Sequence, residues 1–97
     1  MDTVPLCAGA KPVRKGRKII NGAHAALGGD NRTGCAVLAT LAAELSLSKA
    51  AHPPLTLLFT VREESGLWGA RFVDMDMLGA PKMAFNFDGR YATAVTI

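Results

Sequence analysis

Residues 59–70 read FTVREESGLWGA and set two carboxylates, Glu63 and Glu64, side by side between an apolar run and a glycine. The run before them, LTLLFTV at residues 55–61, is short, nearly continuous and rich in β-branched and aromatic side chains. That is the pattern of a strand covered on both faces. Gly66 opens a second helical pattern over residues 67–78, with Leu67, Ala70, Phe72, Val73 and Met77 as its buried positions. Upstream, Cys35, Leu38, Leu41, Ala42 and Leu45 recur at helical spacing in a proline-free stretch. This predicts an amphipathic helix over residues 32–50, with Asp30 in the N-cap position and His52, Pro53 and Pro54 beyond its end. Downstream, Gly79 to Pro81 turn the chain, residues 83–87 read as another strand ended by Asp88 and Gly89, and residues 91–97 read as one more. Residues 1–29 read as irregular, with a short strand near residues 17–20. The order helix, strand, helix, strand predicts an α/β fold, a mostly parallel sheet with helices packed on it.

At 97 residues the chain is at most one domain, and its apolar fraction of 49 % excludes a disordered polymer. Its net charge is +3, yet Lys11, Arg14, Lys15, Arg17 and Lys18 alone supply five positive charges, so the rest of the chain is net acidic. Such a run can grip phosphate. Flanked by Gly9, Pro12 and Gly16 and lacking interleaved aromatics, it reads instead as a solvated loop, and no nucleic-acid partner is expected. Cys7 and Cys35 form no C-x-x-C unit and fit a reduced, cytoplasmic protein. Glu44 interrupts the best candidate for a membrane span, and Asp2 and Pro5 stand where a signal peptide needs basic and apolar residues, so no membrane association is expected.

In open α/β sheets, ligands gather beyond the carboxyl ends of the strands. Parallel strands would therefore bring Glu63 and Glu64, Asp88 and Asp30 to one end of the sheet, with Asp2 as a fifth member, which is five of the chain's eight acids. Taken singly, each also reads as a cap or a solvated turn residue. Taken together, they would raise one another's pKa unless a cation lies among them. Two divalent ions could share one carboxylate while a further acid takes a proton from water.

Read in order, the segments resemble the co-catalytic zinc exopeptidases of the peptidase T, aminoacylase and carboxypeptidase G family, and most closely its peptidase T-like aminopeptidase branch. MDTVP at the start is similar to the tail of that family's first motif, LGGDNRTG at residues 27–34 to its second, FTVREESGLWGA to its third, and FNFDG at residues 85–89 to its fourth. The phrases DNR-x-G and FTV-x-EE-x-G are shared with the related glutamyl aminopeptidases. The resemblance implies that residues 1–90 are part of a zinc-exopeptidase catalytic domain and that residues 91–97 lead toward a lid and dimerisation domain. It also implies a cis Asp30-Asn31 bond and a homodimer formed through the lid. By position, Asp30 would bridge two Zn2+ ions, Glu64 would bind one and Asp88 the other. Glu63 would be the general base, and Asp2 would orient a metal-binding histidine. Cobalt or manganese could replace zinc.

The implied activity is removal of N-terminal residues from short peptides by metal-activated water. Carboxypeptidase or amino-acid deacylase activity on the same scaffold, or a truncated, non-catalytic remnant, are the alternatives. The family's two histidine ligands have no counterpart in these 97 residues, since His24 and His52 match no motif and read as loop and helix-terminus residues. The chain alone is therefore expected to be inactive or nearly so.

Overall fold

Between VRK and KII lie two residues, Gly16 and Arg17, and they fold the basic segment back on itself. The computed structural model describes residues 2–89, Tyr91 and Thr93. In it β1 (Pro12–Lys15) and β2 (Lys18–Asn21) pair antiparallel, with Val13 opposite Ile20 and Lys15 opposite Lys18. Gly16 takes φ 62° at the first central position of the turn, a place that favours glycine in two-residue hairpin loops. At the base, Asn21 Oδ1 accepts the Lys11 N–H at 2.9 Å, and the Lys11 carbonyl accepts the Gly22 N–H at 2.9 Å. The strand expected near residues 17–20 is thus one arm of a hairpin. Its partner was hidden because Arg14 and Lys15 break any apolar alternation in β1. All of residues 11–20 are exposed, so the cationic run is solvated on a hairpin rather than on a loop.

Helix α1 (Arg32–Ser48) matches the predicted segment. Its N-cap is Asn31 and not Asp30, because the Asn31 Oδ1 accepts the Gly34 N–H at 2.9 Å while the Asp30 carboxyl is bonded to Asp88. The helix ends where Lys49 enters the left-handed region at φ 52°. Cys35, Leu38 and Leu45 are half-buried on its inner face, whereas Leu41 and Ala42 are exposed.

The expected second helix over residues 67–78 is two pieces: α2 (Trp68–Arg71) and a 3-10 turn at Met75–Leu78. The break follows from Asp74, which leaves helical geometry and accepts the Asp76 N–H at 3.0 Å to start the second piece. Asp prefers such local side-chain bonds to a place inside a helix.

Among the described residues the one sheet is the antiparallel β1–β2 pair. Residues 55–61 and 83–87, the expected parallel strands, join no ladder there. A doubly covered strand is stabilised by neighbours on both edges and both faces, and no described segment pairs with either run. The expected strand at residues 91–97 lies outside the described residues apart from Tyr91 and Thr93.

The accessible area, 8682 Å², far exceeds the roughly 5300 Å² of a folded chain of this mass. Likewise the radius of gyration is 15.8 Å, where a compact chain of this length would have about 12.5 Å. Among the described apolar side chains only Cys7 is buried, and Leu55, Phe59, Trp68, Phe72 and Phe85 are exposed.

Two glycines mark where segments approach most closely. A Cβ on Gly34 would overlap the Phe87 carbonyl and stand 2.5 Å from the Asn31 Oδ1. A Cβ on Gly69 would stand 2.6 Å from the Val61 nitrogen and 2.7 Å from its carbonyl oxygen. Gly34 therefore seats the first turn of α1 on the segment leading to Asp88, and Gly69 seats α2 on the segment leading to Glu63.

Helix propensity alone would make Gly34→Ala stabilising by about 1 kcal/mol. The overlap involves backbone that cannot swing aside, so we expect net destabilisation of about 1–3 kcal/mol instead. Denaturant midpoints of the two proteins decide the sign, and a more stable Gly34→Ala chain would contradict the close approach.

Candidate active site

The loop after residue 61 is closed by its own backbone. The Glu63 carbonyl accepts the N–H groups of Gly66 at 3.1 Å and Leu67 at 3.0 Å. The Arg62 carbonyl accepts the Trp68 N–H at 3.2 Å, and the Val61 carbonyl accepts the Gly69 N–H at 2.9 Å. To make this turn the chain puts Arg62 (φ 57°) and Leu67 (φ 59°) in the left-handed region, along with Gly66 (φ 111°). For residues with a Cβ that region is unfavourable, on the order of 1–2 kcal/mol each. The reversal ends the apolar run abruptly and leaves both Glu63 and Glu64 exposed. One further bond comes from far away in sequence: Asp2 Oδ1 accepts the Glu63 N–H at 3.1 Å.

On the other side, Asp30 precedes the cap of α1 through a cis Asp30-Asn31 bond, and Gly34 in the next turn rests on Phe87. The contact brings Asp88 to Asp30, and their side chains share a hydrogen bond. Loss of surrounding water, then the charge of Asp30, then that bond hold the Asp88 carboxyl above its ordinary range. All three causes favour the protonated form of Asp88. Glu64 is also held above the usual carboxylate range, first by partial loss of water and then by the charges of Glu63, Asp30, Asp2 and Asp88. Every charge acting on it is negative. The other four acids singled out from the sequence therefore all lie within electrostatic reach of Glu64.

Oxygen donors with unbalanced negative charge suit a divalent cation in kind. In arrangement they are not yet a closed shell: among the described residues no three or more His, Cys, Asp or Glu side chains stand so as to hold a metal ion. His24 is exposed, and the His52 Nδ1–H donates to the Pro53 carbonyl at 2.8 Å. Both cysteines are free thiols.

Reading side-chain chemistry alone misses the parts that hold the acids in place: Asn31, Gly34 and Gly69. Their signals are an amide residue just before the apolar periodicity begins and a glycine inside each first helical turn, where propensity disfavours it.

A raised carboxyl pKa means that the protonated form suits the fold better. Its stabilising contribution is full below the ordinary carboxylate range and is lost as pH rises through the raised value. Asp30→Asn removes a charge from both Glu64 and Asp88 and the bonding carboxylate from Asp88. In an NMR titration of the carboxyl carbons over about pH 3 to 7, both groups of the variant should titrate at lower pH than in the parent chain. Unchanged titration of both would contradict the described proximity.

The chain matches the family described as M42 glutamyl aminopeptidase over residues 11–95. It is also similar to the uncharacterized protein YqjE of Bacillus subtilis (strain 168), with 31 % identity over 96 residues. That alignment covers 98 % of this chain and 26 % of YqjE, so the chain spans about a quarter of the length of the curated relative it matches. No solved structure matches it significantly. The family match does not support the peptidase T-like branch that the motifs resemble. DNR-x-G and FTV-x-EE-x-G occur in both groups, so those phrases could not separate them. With its matched span covering most of the sequence, the chain belongs to the M42 glutamyl aminopeptidase family.

Proposed function

We propose that this chain carries the acidic half of a metal-dependent aminopeptidase site that removes N-terminal residues from short peptides in the cytoplasm. The observation that carries this reading is the meeting of Asp2, Asp30, Glu63, Glu64 and Asp88 at one place, in a chain of the M42 glutamyl aminopeptidase family. Asp30, Glu64 and Asp88 would hold the metal, with Asp30 shared between two Zn2+ ions. When bound, the metal supplies Lewis-acid activation of water and of the peptide carbonyl. Protons compete with the metal for carboxylates held above their ordinary range, so affinity should rise with pH through the titration of Asp88 and Glu64.

Glu63 has a different task. It takes a proton from the attacking water and gives it to the departing amine, which lets the carbon–nitrogen bond break without expelling an amide anion. Its neighbour Glu64 cannot share this role while committed to metal. The turn at residues 62–67 allows the division of labour, because it sends two adjacent side chains out of a strand's strict alternation. The fold we propose for the complete domain is an α/β sheet in which residues 55–61 and 83–87 are parallel strands. The large exposed apolar surface supports that reading, since among the described residues neither run has a ladder partner.

A second reading, a non-catalytic remnant, is favoured by one observation: the described acids do not close into a metal-holding group. The two readings are separated in a complete protein bearing these residues. Glu63→Gln should lower kcat by about 10²–10⁴-fold with metal content retained, and Asp30→Ala should lose metal. Glu63→Gln turning over peptide at the parent rate would overturn the general-base role. A complete protein with neither metal nor peptidase activity would support the remnant.

A further inference from the structure

We propose that Asp2 is a positioning residue that fixes Glu63 by accepting its backbone N–H, and so couples the N-terminal segment to the loop that presents both glutamates. The bond, Asp2 Oδ1 to Glu63 N at 3.1 Å, spans 61 positions of sequence. Within the loop, the hydrogen bonds run to the carbonyls of Val61, Arg62 and Glu63 and come from the N–H groups of residues 66–69 and the Ser65 hydroxyl. None of them uses the Glu63 N–H. Within the loop, the peptide plane between Arg62 and Glu63 is held on one side only, by the Trp68 N–H on the Arg62 carbonyl; Asp2 holds its other side, the Glu63 N–H, and that plane determines where the Glu63 side chain leaves the backbone.

The need for an outside anchor is greatest at this point, because Arg62 just before it occupies the left-handed region at φ 57°. A carboxylate is a stronger acceptor for a backbone N–H than a neutral oxygen, which suits it to hold such a turn. Asp2 is half-buried, whereas Glu63 and Glu64 are exposed, so the anchor sits on the packed side of the contact and the anchored residues on the open side. Behind it, the segment is tied down by the 3-10 turn at Pro5–Cys7, where the Cys7 N–H donates to Val4 and the buried Cys7 lies under Gly28. The Leu6 carbonyl in turn accepts the Ala26 N–H at 2.9 Å. Thus the start of the chain, the approach to Asp30 and the glutamate loop form one connected support. The anchor stands on this geometry. Its bearing on catalysis rests on the reading of Glu63 as general base.

Residue-resolved amide exchange on the 97-residue chain tests it without metal or substrate. In the parent chain the Glu63 amide should exchange at least about tenfold more slowly than a free peptide amide. Asp2→Ala should abolish that protection while leaving the Gly34 amide, held by the Asn31 cap, as slow as before. Asp2→Asn keeps an acceptor oxygen in the same place and should restore most of it. A Glu63 amide that exchanges at the free rate in the parent chain, or equally slowly in the parent and in Asp2→Ala, overturns the proposal. If Asp2→Ala loses protection at every amide, Asp2→Asn decides: a protected Glu63 amide supports the anchor, and an unprotected one overturns it. A complete protein without peptidase activity would refute the base assignment and leave this result untouched.

Discussion

Mutual repulsion among five carboxylates is the constraint on which the rest of this structure depends. Asp2, Asp30, Glu63, Glu64 and Asp88 come from four separate segments, and the charges of the other four all oppose ionisation of Glu64. No sequence would gather them by local preference, since exposed acids are best left apart in water. The gathering is imposed by backbone contacts: Gly34 against Phe87, Gly69 against Val61, and the Asn31 cap that starts α1 just after Asp30. Each of these is a steric or hydrogen-bonding device that tolerates the repulsion and does not relieve it. What remains of the repulsion shows in the two carboxyl groups held above their ordinary range, Glu64 and Asp88.

The acids themselves were legible in the sequence, because their residue types and spacing carry the chemistry directly. So was α1, whose apolar positions repeat with helical period. The hairpin was half legible: Ile19 and Ile20 betray β2, but Arg14 and Lys15 hide β1. The cap was misplaced by one residue because Asp and Asn serve equally well there, and what separates them is a tertiary partner, Asp88, that no local reading can see. The second helix broke for a similar reason, since Asp74 can satisfy a nearby N–H better by leaving the helix than by staying in it. Gly34 and Gly69 were visible as letters but not as contacts.

The extended runs at residues 55–61 and 83–87 belong to another category. Their composition asks for burial on both faces, yet in the described chain Leu55, Leu58, Phe59, Val61, Phe85 and Phe87 are all substantially exposed. A strand is a relation between segments, and a run can be strand-like in sequence without a partner to make it one. The match to a quarter of a longer relative and the excess of accessible surface point the same way: these runs are suited to receive neighbours. By contrast, the loop, the cap and the glycine contacts need no such neighbours, which is why they are formed while residues 55–61 and 83–87 join no ladder among the described residues.

The claim at the centre of this account is that the carboxylate cluster is built to receive a divalent cation. The most direct test is to follow the carboxyl carbons of all five acids by NMR as Zn2+ is added to the 97-residue chain near neutral pH. Asp30, Glu64 and Asp88 should shift together with one affinity, and the response should be lost in Asp30→Ala. Zinc that shifts only His24, His52 or the cysteines, with the five carboxyl groups unmoved, would contradict it.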